Sequence, residues 1–342
     1  MFDWHKLPRE QKLSFLNEAS AKTGYPNQVI EKDFWVTVVL KAIFETPWAE
    51  ALVFKGGTSL SKAWNLIERF SEDIDLAIDR QALGFPSSEM TKSQIQKLRR
   101  ASAVFMEHEF MPALQNRIQD LNIDSGQFDI TIEPIETNDV DPRIIKLQYT
   151  AIEPGNEYVR DQVLIEIGAR SLREPFDYRE IQSILSTQFP GTSVQDPIFS
   201  IASVLPERTF LEKAMLLHEE HCKPPEHRRH LRLSRHLYDL YRIKNSPHAA
   251  NALADVALFN TIVAHRKVFN GIRGISYENH TFQGIEFIPP TEVLTLWQQD
   301  YDQMGIMIFG DRPSFDEILA EMKGLVQMFR EMANGSAVKK PE

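Results

Sequence analysis

The residues with the clearest chemical potential are two aspartates that follow a glycine-rich turn in a chain of 342 residues. Asp73 and Asp75 stand two apart, so in a strand they share a face, where a divalent cation would relieve the repulsion between their carboxylates. A glycine turn before a helix presents backbone N–H groups to phosphates. The turn consists of four small residues: Gly56, Gly57, Thr58 and Ser59. Together these groups predict a site for a nucleoside triphosphate and Mg²⁺ or Mn²⁺.

Hydrophobic periodicity predicts the elements that must position these groups. Residues 52–54 form a short apolar strand that ends at the glycines, and Thr58 or Ser59 can cap the helix that follows. Helical spacing relates four apolar residues: Leu60, Ala63, Trp64 and Ile67. The period then changes to two through Phe70, Ile74, Leu76 and Ile78, which predicts a second strand with both aspartates on its other side. Ser71, near the start of this strand, is a further candidate to bind a phosphate oxygen, or it bonds the backbone there.

The Asp-x-Asp spacing is weak evidence alone, because it occurs three times in this chain. Asp139 and Asp141 lie in a turn sequence, where solvated carboxylates are expected. Asp300 and Asp302 follow a helical pattern that places them on different faces. Only the first pair accompanies a Gly-Gly turn and a change of period, so only this pair is predicted to be catalytic.

The composition is that of an ordinary soluble protein, with 42% hydrophobic and 25% charged residues. The longest apolar run is interrupted by Lys41 and is too short to span a bilayer, and the N-terminus lacks the apolar core of a signal peptide. A single cysteine, Cys222, excludes an intramolecular disulfide and fits a reducing compartment. We therefore expect a cytoplasmic protein without a membrane partner.

One segment is strongly basic, although the chain as a whole has a net charge of −10. Residues 221–244 contain seven lysines and arginines and four histidines but only two acids. Such a segment predicts contact with the phosphates of RNA. The alternative is a solvated helix face, with Leu231, Leu237 and Leu240 turned inward and the histidines adding to its charge. The spacing of histidine and cysteine in this region does not match a zinc site.

The chain changes character near residue 205, where alternating patterns give way to helical ones. Before this point we predict helices at 8–22, 27–45 and 88–121 and strands at 128–135, 144–152 and 158–167. After it, helices are predicted at 206–222, 229–245, 247–270, 292–304 and 314–333. These patterns predict an α+β domain at 1–205, a helical domain at 206–334 and a disordered tail at 335–342, with the active site in the cleft between the domains.

Two sequences around the candidate site resemble motifs of a known family. KGGTSLSKAW (55–64) and ERFSEDIDLAI (68–78) are similar to motifs of the AbiEii/AbiGii toxin family, a branch of the polymerase-β-type nucleotidyltransferase superfamily. Glu31–Val36 resembles the opening helix of that family, and residues 205–217 and 235–243 resemble its later motifs. The likeness spans about residues 29–243.

The resemblance implies both a fold and an activity. The implied fold is a polymerase-β-like core with a mixed sheet, followed by a helical domain. The implied role is that of a toxin in a bacterial toxin–antitoxin or abortive-infection system. Family members transfer nucleotides, in studied cases to RNA, including the acceptor end of tRNA. A cognate antitoxin is therefore a candidate partner, and whether it touches this chain directly stays open.

Three further residues gain candidate roles from the resemblance. Lys213 matches the family's lysine and could bind the β- and γ-phosphates, the alternative being a surface lysine. Asp239 matches a later aspartate that could act as general base or hold Lys213 in place, the alternative being a helix-face acid paired with Arg235 or Arg242. Glu166, on the polar side of its predicted strand, could join from a neighbouring strand as a third metal carboxylate, or it could face water.

The predicted reaction is the metal-dependent transfer of NMP from an NTP to an RNA acceptor, with tRNA as a candidate. Asp73 and Asp75 would hold Mg²⁺ with Glu166, while the glycine turn would hold the phosphates. An acceptor hydroxyl would attack the α-phosphorus in line as pyrophosphate leaves. The alternatives are transfer to a small molecule or to a protein hydroxyl, and a module that binds nucleotide without turnover.

Overall fold

The computed structural model describes residues 2–71, 73–86, 90–133, 143–155 and 159–336. The chain divides into two compact units. The first comprises Met1–Trp64 and Phe70–Val204, and the second comprises Asn65–Arg69 and Leu205–Glu342. The five residues that precede the predicted metal strand therefore pack with the C-terminal part of the chain.

The first unit combines helices with one sheet. Its helices are α1 Arg9–Thr23, α2 Asn27–Ile43, α3 Gly56–Lys62, α4 Lys92–Phe105, α5 Met111–Asp120 and α6 Ile184–Gln188. Its strands are β1 Leu52–Lys55, β2 Asp73–Ile78, β3 Phe128–Ile132, β4 Arg143–Tyr149, β5 Gln162–Gly168, β6 Phe176–Ile181 and β7 Phe199–Val204. A single π-helical turn, Met106–Phe110, joins α4 to α5. The predicted helical region at 88–121 is therefore nearly continuous over its described residues.

The seven strands form a mixed sheet in the order β3-β4-β5-β2-β1-β7-β6. The pairs β2–β5 and β1–β7 are parallel, and the other neighbours are antiparallel. Ile74, Ile165 and Ile145 lie side by side in register on one face and are fully buried. On β4, Tyr149 stacks on Trp35 of α2 at 5.2 Å between ring centroids. The predicted α+β class with a mixed sheet is confirmed.

Helix α2 carries three buried charged residues in its first turns. Glu31 accepts a hydrogen bond from the backbone N–H of Ile152 at 3.0 Å. The next residue, Lys32, donates to the carbonyl of Arg160 at 2.9 Å. Asp33 accepts one bond from Lys62 at the end of α3, at 2.5 Å. The opening segment that resembles the family motif thus anchors the sheet loops and the short helix of the glycine turn.

The helix after the glycine turn is shorter than predicted. Helix α3 ends at Lys62, so Trp64 and Ile67 lie beyond it. Asn65 has a left-handed φ of 52°, which a continuing helix does not allow. Ala63 and Ile67 are nevertheless buried. The helical spacing therefore indicated correctly that Ala63 and Ile67 are buried, but it did not indicate where the helix ends.

The second unit is helical. Its helices are α7 Pro206–Cys222, α8 Ser234–Lys244, α9 Pro247–Ala254, α10 Val256–Phe269, α11 Leu294–Met304 and α12 Phe315–Ser336. Phe210 of α7 stacks on Phe329 of α12 at 6.0 Å between ring centroids, inside the core of this unit. Across the described residues, no helix has the length and apolar character needed to cross a bilayer.

Two predicted helices of this unit have different limits in the structure. Helix α8 begins at Ser234, because Arg232 adopts a φ of 61° and Asp300 accepts hydrogen bonds from the N–H groups of both residues. The predicted helix at 247–270 is interrupted at Asp255, whose carboxylate accepts from the N–H of Leu258 at 2.8 Å. Short polar side chains that bind backbone N–H groups favour a new helix start.

Several other expectations also differ from the structure. Strands β6 and β7 were not expected from the sequence pattern. Leu231 is 67% exposed and does not turn inward as predicted, whereas Leu237 and Leu240 are buried. Helix α12 includes residues 335–336 of the predicted disordered tail, and the rest of that tail lies outside the described residues, as do Asp139 and Asp141.

Candidate active site

A row of three charged residues crosses the middle of the sheet on the face opposite the isoleucines. Asp75 of β2 has Lys55 of β1 as its neighbour on one side and Glu166 of β5 as its neighbour on the other. Paired residues of adjacent strands point their side chains to the same face. Glu166 therefore lies beside Asp75, in the position that a third carboxylate from a neighbouring strand requires.

The row opens into a cavity of about 200 Å³. Its lining is mostly polar or charged: Lys55, Asp75, Leu76, Glu166, Gly168, Arg170 and Ser171. Two carboxylates and two cations thus share one small space. No described residue donates a hydrogen bond or forms an ion pair with the Asp75 carboxylate. The lone pairs of this half-exposed carboxylate are therefore available to a bound cation.

Gly56 is required by the position of Asp75. Its φ of 78° lies in the left-handed region, and a Cβ at this residue would stand 2.1 Å from Oδ2 of Asp75. Only glycine permits both the backbone conformation and the close approach. The first glycine of the turn therefore brings the backbone directly against the candidate metal carboxylate.

The other small residues of the turn are largely enclosed. Gly57, Thr58 and Ser59 are buried in α3. The Thr58 hydroxyl donates to the backbone carbonyl of Asp73 at 2.5 Å. This bond ties the glycine turn to the start of β2. It leaves the backbone of the turn, more than its hydroxyls, as the candidate phosphate ligand.

Asp73 is the first residue of β2, and Ser71 lies two residues before it. Asp73 begins the strand, is half-buried, and stands on the same side as Asp75 because the two are separated by one buried residue, Ile74. Its register partner on β5 is Leu164. Ser71 is half-buried in the segment before the strand. The predicted pairing of Asp73 and Asp75 on one face therefore exists, while only Asp75 lines the cavity.

The donor set fits Mg²⁺ bound together with a nucleotide. Within the described ranges, no three His, Cys, Asp or Glu side chains are gathered closely enough to hold a metal by themselves. Mg²⁺ is usually bound through one or two carboxylates plus phosphate oxygens and water, rather than by a cage of protein ligands. Asp75 and Glu166 supply such a partial set, with Asp73 next on the same face.

The second unit contains a separate cluster of buried charges around Asp239 of α8. Its carboxylate accepts two hydrogen bonds from Arg69, at 2.7 Å each, and forms an ion pair with Lys213 of α7 at 2.8 Å. Asp239 is 0% exposed. Burial alone would raise the pKa of Asp239, but Arg69 and Lys213 together hold it well below its usual range. Of the two arginines that the sequence allowed as partners, Arg242 forms an ion pair with Glu68 at 2.9 Å instead.

Lys213 is enclosed by the same cluster. Burial lowers its pKa, and the carboxylate of Asp239 opposes this shift. Its ammonium also lies 3.3 Å from Nδ1 of His236. Burial, followed by the charge of Lys213, lowers the pKa of His236 well below its ordinary value, so the neutral ring can accept a bond from the ammonium. Lys213 is thus a buried, positioned lysine and not a surface one.

The basic segment at 221–244 is partly neutralised by acids outside it. Glu220 binds both Lys223 and Arg229, at 2.7 and 2.9 Å, and Glu321 binds Lys244. Arg229 remains exposed, with 65% of its side chain accessible. The exposed positive charge therefore concentrates near the turn before α8, which also carries the exposed residue Arg232.

The histidines of this region do not all add to the basic face. His218 is buried against the carbonyl and N–H of Glu286 at 3.0 and 3.1 Å. Burial lowers the pKa of His218 to about 4, so it is neutral near pH 7. His236 is also neutral for the same reason. The expectation that such histidines contribute charge is wrong for these two.

Sequence reasoning missed four residues that the structure brings into these sites. Lys55, Arg170 and Ser171 line the cavity, and Arg69 holds Asp239. A signal existed for Lys55, which directly precedes the glycine turn, and for Arg69, which stands between the two predicted elements. Arg170 and Ser171 could not be recognised because their position depends on how β5 pairs.

Comparison with known proteins gives two likenesses. A family model described as nucleotidyl transferase AbiEii toxin, type IV toxin–antitoxin system, matches residues 38–321. Among solved structures, the chain is similar in fold to MenT4, a nucleotidyltransferase toxin from Mycobacterium tuberculosis H37Rv, with a TM-score of 0.53 and 16% sequence identity. That match covers 98% of this chain and 100% of the other. A search of curated proteins gives no match.

Proposed function

The chain belongs to the AbiEii family of nucleotidyltransferase toxins of type IV toxin–antitoxin systems, and from this premise we propose that it transfers NMP from an NTP to RNA. The resemblance to this family is thereby confirmed over residues 38–321, and with it the assignment as a nucleotidyltransferase. The proposal adds the donor site, the metal and the acceptor.

The observation that carries the proposal is the row formed by Lys55, Asp75 and Glu166 beside the turn at Gly56. Paired carboxylates next to a glycine turn can hold a metal-bound triphosphate. We assign Asp73, Asp75 and Glu166 as metal ligands and the backbone of residues 56–59 as the phosphate cradle, with Ser71 nearby. When bound, Mg²⁺ would neutralise the charge that develops on the entering and leaving oxygens.

The residues of the chain have distinct tasks in this reaction. The acceptor hydroxyl attacks the α-phosphorus and loses its proton to solvent water. The bond between the α-phosphorus and the pyrophosphate oxygen breaks, and pyrophosphate leaves. Lys213 provides a compact positive charge for phosphate groups. Asp239 is assigned to hold Lys213, since both of its carboxylate oxygens are already bonded to cations and its pKa lies far below that of a useful base at neutral pH.

Transfer to RNA is tested with each of the four NTPs labelled at the α-phosphate, Mg²⁺ and total cellular RNA. We expect a labelled RNA band with the wild-type chain and none with Asp73→Asn. If the label appears on a protein band or on a small molecule and not on RNA, that molecule is the acceptor and the proposal of an RNA acceptor is wrong. Retained labelling of RNA by the Asp73→Asn variant would overturn the assignment of the metal site.

The acceptor surface is proposed to include the exposed arginines of the segment 221–244. Arg229→Glu and Arg232→Glu should reduce RNA labelling and make it less sensitive to salt, because fewer counterions are released on binding. Arg273→Glu, an exposed charge reversal in the same unit outside this segment, serves as the control. Equal losses in all three variants would place the RNA elsewhere.

The biological setting is proposed from the family. A cognate antitoxin is the expected regulatory partner, and tRNA is the first RNA to test by name. The single cysteine, Cys222, is free, which suits a reducing compartment such as the cytoplasm. Co-purification of the chain with its antitoxin would show whether the two proteins touch.

A further inference from the structure

We infer that Lys55 binds the phosphate groups of the donor nucleotide, as a cation supplied by the first unit itself. The inference rests on the proposed function, which places a nucleoside triphosphate at Asp75 and Glu166. It adds a specific phosphate contact to that site.

The position of Lys55 makes this contact available. It is the last residue of β1, its register partner is Asp75, and its side chain lines the cavity with Glu166 and Arg170. The glycine turn follows it directly, so the ammonium and the backbone of the turn come from one short stretch of chain. A ligand held by the turn at Gly56 therefore lies within reach of this lysine.

Lys55 differs from other enclosed lysines of its unit in having no partner. Lys62 binds Asp33 at 2.5 Å, and Lys32 binds the carbonyl of Arg160 at 2.9 Å. In contrast, the Lys55 ammonium forms no hydrogen bond or ion pair with any residue that the structure describes, although Asp75 is its neighbour. Its three N–H donors are thus available to a ligand.

Charge balance indicates which ligand these donors would take. With only Asp75 and Glu166, the cavity would carry two negative charges. One bound Mg²⁺ would do no more than cancel them, which would leave no positive charge to attract a triphosphate. Lys55 and Arg170 offset those two charges. A lysine ammonium suits phosphate oxygens as a compact, strongly charged donor. The geometry therefore assigns Lys55 to phosphate rather than to the base or sugar.

The test measures binding by the full chain, with Mg²⁺ present, of two probes: a non-hydrolysable α,β-methylene NTP analogue and inorganic triphosphate. Lys55→Met should raise the Kd of both probes by about 10-fold or more, because a charge-assisted contact is lost. Lys146→Met is the matched control, since Lys146 lies on the same face two strands from Asp73 but does not line the cavity. It should change either Kd by less than about twofold.

The outcomes separate this inference from the proposed function. Unchanged binding in Lys55→Met would overturn the inference, as would a loss for the NTP analogue alone, since the contact would then not be to phosphate. Wild-type binding that depends on Lys55, without labelling of RNA, would uphold the inference and overturn only the proposed acceptor. Failure of the wild-type chain to bind either probe would overturn both. If Lys55→Met does not fold, as judged by circular dichroism, Lys55→Gln provides the same comparison.

Discussion

Two aspartates of this protein, Asp75 in the first unit and Asp239 in the second, belong to family motifs but have opposite surroundings. Asp75 is half-buried at a cavity, and none of the described residues is bonded to its carboxylate. Asp239 is fully buried, and Arg69 and Lys213 bind both of its oxygens. A carboxylate with free lone pairs can receive a ligand, whereas one that is fully engaged can only position its partners.

The energetic basis of the contrast is desolvation. A buried carboxylate loses its hydration and needs either opposite charges or protonation as compensation. Asp239 has two cations, so its pKa is lowered despite burial. Asp75 stays half-exposed, and under the proposed function a metal ion bound with the substrate would supply its opposite charge.

Replacing Asp75 by Asn should reduce nucleotidyl transfer by about 10³-fold or more, because a metal-binding charge is lost at the reacting phosphate. The free energy of unfolding should stay within about 0.5 kcal/mol of the wild-type value, since no described residue depends on this carboxylate. Labelling rates and urea denaturation measure the two effects. Asp129→Asn, at an exposed acid on the same face of the edge strand β3, should leave both quantities unchanged.

Replacing Asp239 by Asn should lower the free energy of unfolding by about 3–5 kcal/mol, because Arg69 and Lys213 would be left as buried charges without a counter-charge. Urea denaturation of the full chain measures this. Asp302→Asn is the control, since Asp302 forms an exposed pair with Arg312 at 3.0 Å and should contribute less than about 1 kcal/mol. A stable Asp239→Asn protein would contradict the anchoring role.

Glu31 extends the comparison to a buried acid that accepts hydrogen bonds from the backbone N–H of Ile152 and, among the described residues, forms no ion pair. Burial raises the pKa of Glu31 to about 7 from 4.5, so the folded state binds more protons than the unfolded state between these values. Stability is therefore lost as the pH rises through this window, by up to about 3 kcal/mol.

Denaturation at pH 5 and pH 8 tests this dependence. In Glu31→Gln the loss of stability on going to pH 8 should be smaller, while Asp196, whose pKa burial raises to about 6, still contributes in the same direction. Glu10→Gln, at an exposed position of α1, is the control. An equal loss in Glu31→Gln and wild type would show that Glu31 is not the group responsible.

Replacing Gly56 by Ala should reduce transfer by roughly 10–100-fold, because its Cβ would displace the carboxylate of Asp75. Gly84→Ala is a close control, since Gly84 has a φ of 79° against 78° for Gly56 but nothing within 4 Å of the added Cβ. Both variants share the backbone strain, and only Gly56→Ala moves Asp75. Equal activity in the two variants would contradict the close-approach role of Gly56.

The sequence predicted the parts of the site that depend on local pattern. The strand β1, the Gly56 turn and the strand of Asp73 and Asp75 follow from periodicities of two and from glycine's freedom at positive φ. The helix α7, predicted at 206–222, has the same limits in the structure because proline at its first position and apolar spacing are local signals. The length of α3 was not predictable, since residues 65–69 pack with the second unit.

Tertiary structure decided which distant residues join these parts. Glu166 lies beside Asp75 because β5 pairs in parallel with β2. The two residues are about ninety positions apart in the chain, and the register of such a pairing is not encoded locally. Arg69 meets Asp239 across a sequence separation of 170 residues. By itself, the sequence determined which residues could do chemistry and on which face of a strand they lie. Only the folded chain, through strand register and burial, decided that Asp75 is left open for a ligand and Asp239 is bonded on both oxygens.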